Sequence, residues 1–165
     1  IVKEVTSMEK MLVRGVTKDT DVARITIMDV PDVPGIAFKI FSRLATRKIN
    51  VDIILQSVGR GGKKDIAFTI NKSAKNAAME ALGNSFSELQ NTKIECDTNV
   101  AKVSVVGAGM ESHPGTASKM FEALYEIDVN IQMISTSEIK ISVLIDINDA
   151  DRAVAAIHRA FLPEE

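Results

Sequence analysis

The chain has 165 residues, 45% of them hydrophobic and 25% charged, with a formal net charge of -2. That length fits one large domain or two of roughly 70–80 residues. A slightly acidic chain with no Trp and a single Tyr carries neither the basic footprint nor the stacking platforms of a nucleic-acid binder, and no apolar run approaches the ~20 residues of a membrane span.

Taken in chain order, the first candidate strand is "EKMLVRGVTKD", Glu9 to Asp19, with Met11, Val13 and Gly15 at alternate positions. "ARITIMDV" (Ala23 to Val30) alternates in the same way and predicts a half-buried strand. Pro34-Gly35 follows, then "IAFKIFSRLATRKI", whose Ile40, Phe41 and Leu44 share one helical face. "NVDIIL" (Asn50 to Leu55) is short, apolar and β-branched, which predicts a strand. "SVGRGGKKD" contains Gly59, Gly61 and Gly62 and predicts a hairpin into "IAFTIN", Ile66 to Asn71. A helix is expected from Ser73 to about Leu89, with Ser73 as its N-cap, and then a strand over "TKIECD", Thr92 to Asp97.

The order then repeats. "AKVSVVGA" (Ala101 to Ala108) matches the strand at Ala23, and Pro114-Gly115 matches Pro34-Gly35. "TASKMFEALYEIDV" carries Met120, Phe121 and Leu124 at the spacing of Ile40, Phe41 and Leu44, and "NIQMIS" (Asn130 to Ser135) matches "NVDIIL". A tight turn through "TSE" leads into "IKISVLID", and a helix is expected from Asp149 to about Phe161, capped by Asn148 or Asp149. Each copy reads β-α-β-β-α-β, an α+β, ferredoxin-like unit with a four-stranded antiparallel sheet and two helices on one face. The second copy lacks its last strand. The strand at residues 9–19 is expected to supply it, so the first unit (23–98) is inserted into the second (9–20 plus 100–162).

Proline suits a helix start because its missing N–H costs nothing there, and glycine permits a sharp turn and close approach of a ligand. The helix N-terminus offers unsatisfied N–H groups and partial positive charge, which suit a carboxylate. Asp32, just ahead, can accept from an ammonium. Together these outline a site for a free α-amino acid; alternatively, Pro-Gly merely starts a helix and Asp32 lies on the surface. The single Cys96 excludes an internal disulfide, reads as a structural thiol and suits a reducing cytoplasm. His113 and His158 have no ligand-spaced partners, so no metal site is expected. The chain begins with Ile1, which is read as a fragment of a longer protein.

"DVPDVPGIAFKIFSRLATRKINVDIILQSV", "KVSVVGAGMESHPGTASKMFEAL" and "VNIQMISTSEIKISVLI" together resemble the paired ACT domains of aspartate kinases, from about Leu12 to Phe161. The resemblance implies two ACT domains that act as an allosteric module for feedback inhibition by threonine and lysine. It implies no catalytic residues and no cofactor in this chain. Its partners would be free amino acids, the aspartate kinase catalytic domain or α subunit, and a second copy in a homodimer. It also implies a threonine site built from Asp32, Gly35, Ile36 and Ala37 of the first unit with Asn130 and Ile131 of the second. Gln56 would meet the hydroxyl, since its amide both donates and accepts; an edge-strand glutamine in solvent is the plain alternative. A second, lysine-type site would pair Asn50, Val51 and Asp52 with His113, Pro114, Gly115 and Thr116, with Ser137 and Glu138 nearby. There Asp52 or Glu138 would meet the ε-ammonium, and His113 is either a specificity residue or a loop histidine in solvent.

Other classes fit less well. "VVGAGM" (Val105 to Met110) resembles half of a dinucleotide fingerprint, but Ser112 stands where the third glycine belongs. An RNA-binding ferredoxin-like module would need exposed aromatics on its central strands, and the run from Ile66 to Ile70 offers only Phe68. An ACT-type regulatory subunit of another amino-acid enzyme, such as acetolactate synthase, is the alternative that the "STSEIKISV" run argues against.

Overall fold

The computed structural model describes residues 13–83, 89, 92–107 and 114–162, with side chains from Gly15 onward. Two compact units form. One is residues 21–98; the other takes the segment up to Thr20 together with the chain from Asn99 on. The elements are β1 (Val13–Pro31), α1 (Ile36–Thr46), β2 (Ile54–Gln56), β3 (Lys63–Ile70), α2 (Lys75–Gly83), β4 (Lys93–Gly107), α3 (Gly115–Glu126), β5 (Met133–Thr136), β6 (Lys140–Asp146) and α4 (Ala150–Phe161). Single 3-10 turns at Lys72–Ala74 and Ile147–Asp149 lead into α2 and α4.

In the first unit the strands run β2-β3-β1-β4, and in the second β1-β4-β6-β5, because β1 and β4 contribute to both units. Two strands had been expected in place of β1 (9–19 and 23–30), and two in place of β4 (92–97 and 101–108). The described stretches, from Val13 and to Gly107, are continuous instead. The polar run Asp19-Thr20-Asp21 breaks the hydrophobic alternation without breaking the extended backbone. Residues 9–12 and Ala108 lie outside the described residues.

Alternation places Ala23, Ile25 and Ile27 of β1 and Ile66, Phe68 and Ile70 of β3 on one face, under Ile36, Ile40 and Leu44 of α1 and Ala78 and Leu82 of α2. Phe68 is fully buried and meets Phe41 edge-on, with ring centroids 5.4 Å apart. The second unit repeats the layer with Val103, Val105, Met120, Leu124, Val143, Ile145 and Ile157. Each such buried side chain contributes about 1.5–3 kcal/mol. A buried polar pair there, Ser104 with Ser142, is satisfied internally by a 2.7 Å hydrogen bond between strand partners.

Several local expectations are corrected. Strand geometry starts at Ile54, not Asn50. Ahead of it the Ile53 N–H donates to the Thr69 hydroxyl (3.0 Å) rather than to a ladder carbonyl. Likewise the strand expected at Asn130 starts at Met133. Ser73 is not an N-cap: it lies inside the 3-10 turn, and α2 starts at Lys75. Asp149 takes the N-cap position of α4, as one of the two expected residues, but its side chain makes no capping hydrogen bond. The Asp146 carboxylate accepts from Asn148 N–H (2.8 Å) to cap the preceding turn, and Asp149 pairs with Arg152 at 2.7 Å. The far end of the helix expected to reach Leu89 lies outside the described residues beyond Gly83.

Candidate functional site

The first-unit loop begins with a bulge. Ile27 pairs with Ile66, but Val30 pairs with Lys64, so β1 carries one extra residue opposite Asp65. Asp29 takes φ 57 there, and its N–H donates to the Asp65 carboxylate (3.0 Å). This bend aims Asp32 toward the β2–β3 hairpin, where Asp32 N–H donates to the Gly62 carbonyl (2.8 Å). The hairpin tip is a two-residue turn, Gly61-Gly62, with φ of 59 and 76 between the bridged Arg60 and Lys63.

Gly35 is the N-cap of α1 at φ 88, a left-handed conformation that glycine adopts without strain, and no side chain caps the helix. The Ile36 N–H donates to the Val33 carbonyl at 3.4 Å, while the Ala37 and Phe38 amides of the first turn have no side-chain cap. Ile36 is 2% exposed and anchors the helix in the core, and Ala37 is half-buried beside it. Gln56 is exposed at the end of edge strand β2 and pairs with Ile66, the partner of Ile27. That register places it at the same end of the sheet as the exit of β1.

Asp32 is not free in this arrangement. Its Oδ1 accepts from Lys64 Nζ at 3.1 Å. Its Oδ2 lies against Gly59, where an added Cβ would overlap the carboxylate. Neither Lys64 nor the contact at Gly59 follows from motif spacing. The glycine run marks a turn, but a close approach between residues 27 positions apart has no local signal.

In the second unit the counterpart is built differently. Pro114 is the N-cap of α3 at φ -61, and Gly115 is already helical with no positive φ. Thr116 is buried, so its side chain serves the core. Asn130 is exposed and Ile131 packs on the second core. Ser137 and Glu138 lie in the β5–β6 turn, closed by Ser137 N–H to the Lys140 carbonyl at 2.8 Å. In the first unit Asn50 and Asp52 are exposed, and Val51 packs against the core. His113 lies outside the described residues.

Each expected site thus draws residues from both units. Within the first unit the structure gathers Asp32, Gly35, Ile36 and Ala37 around one helix start. Both units end their first helix in the same way. Lys48 and Asp128 take φ 58 while Ile49 N–H reaches the Leu44 carbonyl and Val129 N–H the Leu124 carbonyl, each at 3.0 Å. These turns deliver the Asn50 and Asn130 segments at matching positions.

The described residues also line cavities. One of about 400 Å³ borders the hairpin and is lined by Asp29, Ser57, Arg60, Lys63, Lys64 and Asp65. Another of about 440 Å³ lies over α3 and α4. Cys96 is half-buried against the first core, and burial pushes its thiol up from the ordinary value. Among the described residues no three His, Cys, Asp or Glu side chains gather as a metal site, and no helix is long and apolar enough to cross a membrane.

The ACT domain family model matches residues 28–86 and 103–161. The aspartate kinase of Pseudomonas fluorescens is 45% identical over 160 residues, 97% of this chain and 39% of that protein. The chain spans about two fifths of the length of the curated relatives it matches. The ligand-free regulatory subunit of aspartate kinase from Thermus thermophilus superposes with a TM-score of 0.87 at 42% identity, covering 91% of this chain and 99% of that one. A chain of the aspartokinase alpha and beta subunit structure gives 0.84 at 42%, covering 90% and 98%.

Proposed function

The chain belongs to the ACT-domain family, as a tandem pair of the aspartate kinase regulatory type, and we propose that it binds L-threonine as a feedback effector, with L-lysine at a second seam. The observation that carries this reading is the uncapped start of α1 with the Asp32 carboxylate fixed beside it. The amides of Ala37 and Phe38, which no side chain caps, suit the effector's carboxylate, and Asp32 suits its ammonium. Gln56 offers donor and acceptor to the hydroxyl. Asn130 and Ile131 close the site from a second unit. The lysine-type seam uses Asn50, Val51 and Asp52 with His113, Pro114, Gly115 and Thr116. Asp52 or Glu138 would receive the ε-ammonium.

The chain works on a catalytic partner that phosphorylates aspartate with ATP, carried in the same polypeptide or as a separate α subunit. An effector that binds one arrangement of the ACT units better than another shifts the kinase between states by that difference. A homodimer would supply such seams. Val33, Phe38, Ile54 and Leu55, all exposed apolar residues of the first unit, are available to cover one another between two copies. Sedimentation equilibrium should give a dimer; a monomer at every concentration would refute this part.

Calorimetric titration with L-threonine tests the site. Saturable binding in roughly the micromolar to millimolar range is expected. Asp32→Ala should weaken it about tenfold or more, since it removes a charge-assisted hydrogen bond. Threonine binding untouched by Asp32→Ala would place the site elsewhere.

A further inference from the structure

We infer that Lys64 is a built-in competitor for the effector's ammonium group and sets the affinity of the Asp32 site; this rests on the reading of that loop as an amino-acid site. Lys64 belongs to β3, where alternation puts it in the inward row of Ile66, Phe68 and Ile70. Its side chain is only 11% exposed, so most of the apolar stem is covered. The pairing of Lys64 with Val30 fixes its place opposite the bulged end of β1. Asp32 is the carboxylate it reaches, Nζ to Oδ1 at 3.1 Å.

An arriving α-ammonium needs the same carboxylate. Oδ2 is turned against Gly59, and the remaining approach is the open side of Asp32, whose side chain is 43% exposed. The effector must therefore displace Lys64 or share Asp32 with it. Displacement breaks the resident Lys64–Asp32 pair, and sharing sets two cations against each other. Either way binding is weakened by about the worth of the resident pair. The pair costs the site affinity and in return holds Asp32 in place before the effector arrives.

The test is titration of the full chain with L-threonine, comparing wild type, Lys64→Met and Lys64→Arg. Methionine fills the same apolar channel without the charge. Lys64→Met should bind about three- to tenfold more tightly, the worth of a partly covered ion pair, and Lys64→Arg should stay near wild type. Heat in Lys64→Met with none in wild type would support the inference still more strongly. Binding unchanged or weakened in a Lys64→Met protein with native circular dichroism would overturn the inference and leave the site reading standing. No heat from L-threonine in any variant would overturn the site reading and the inference with it. Should Lys64→Met not fold, Lys64→Gln carries the same contrast.

Discussion

Asp32 gets its position from residues far away in sequence. The glycine at 59 is required by contact, not by backbone angle: a Cβ there would overlap the Asp32 carboxylate. Gly59→Ala should therefore push that carboxylate off its seat and weaken L-threonine binding by about tenfold, since the charge-assisted contact to the ammonium depends on placement. The hairpin is exposed, so circular dichroism should remain native; calorimetry that finds wild-type affinity in Gly59→Ala would refute the contact's role. Asp32 itself was legible in the sequence because it precedes Pro34-Gly35 in a recurrent pattern. Lys64 and Gly59 were not, since "GRGGKKD" reads as hairpin chemistry and says nothing about what the hairpin docks against. The buried Ser104–Ser142 pair was equally hidden, because two serines on inward strand positions become partners only once the register of β4 and β6 is fixed.

At the scale of elements, the two Pro-Gly starts look alike in sequence and differ in backbone. Gly35 sits at φ 88 ahead of α1, whereas Gly115 is the first residue of α3 and has no positive φ. Alanine at 35 would incur the left-handed penalty of about 1–2 kcal/mol. Alanine at 115 meets no atom within 4 Å and should be neutral or stabilise by up to about 1 kcal/mol. Urea denaturation of the two variants checks the contrast: equal losses would mean that the two helix starts share one conformation. The amphipathic spacing of Ile40, Phe41 and Leu44 made α1 readable, and its repeat made α3 readable. Helix starts were less so. Asp149 takes the N-cap position of α4 without a side-chain cap, and the side-chain cap comes instead from Asp146, three residues upstream, on the 3-10 turn that leads into the helix. Strand starts at residues 50 and 130 were placed too early for a related reason. These segments leave a left-handed helix end and approach the sheet through irregular hydrogen bonds before a ladder forms.

For the whole molecule, the duplicated βαββαβ order was visible in the repeat alone. The continuity of the strands that join the units was not. The expected units part at residues 20–23 and 98–100, yet β1 and β4 run unbroken through those stretches. Extended backbone needs no apolar residue where side chains face solvent, so composition marks no edge there. The effector sites proposed above would each draw on both units, and one unit's sequence does not report what it meets.

Whether an amino acid settles on the α1 start beside Asp32 is read most directly by an amide NMR titration of the chain with L-threonine. Saturable shifts are expected at Asp32, Gly35, Ile36, Ala37 and Gln56, joined by Asn130 and Ile131. Saturable binding that leaves these amides unmoved, with shifts confined to Asn50–Asp52 and Pro114–Thr116 or to the hairpin cavity, would contradict that placement.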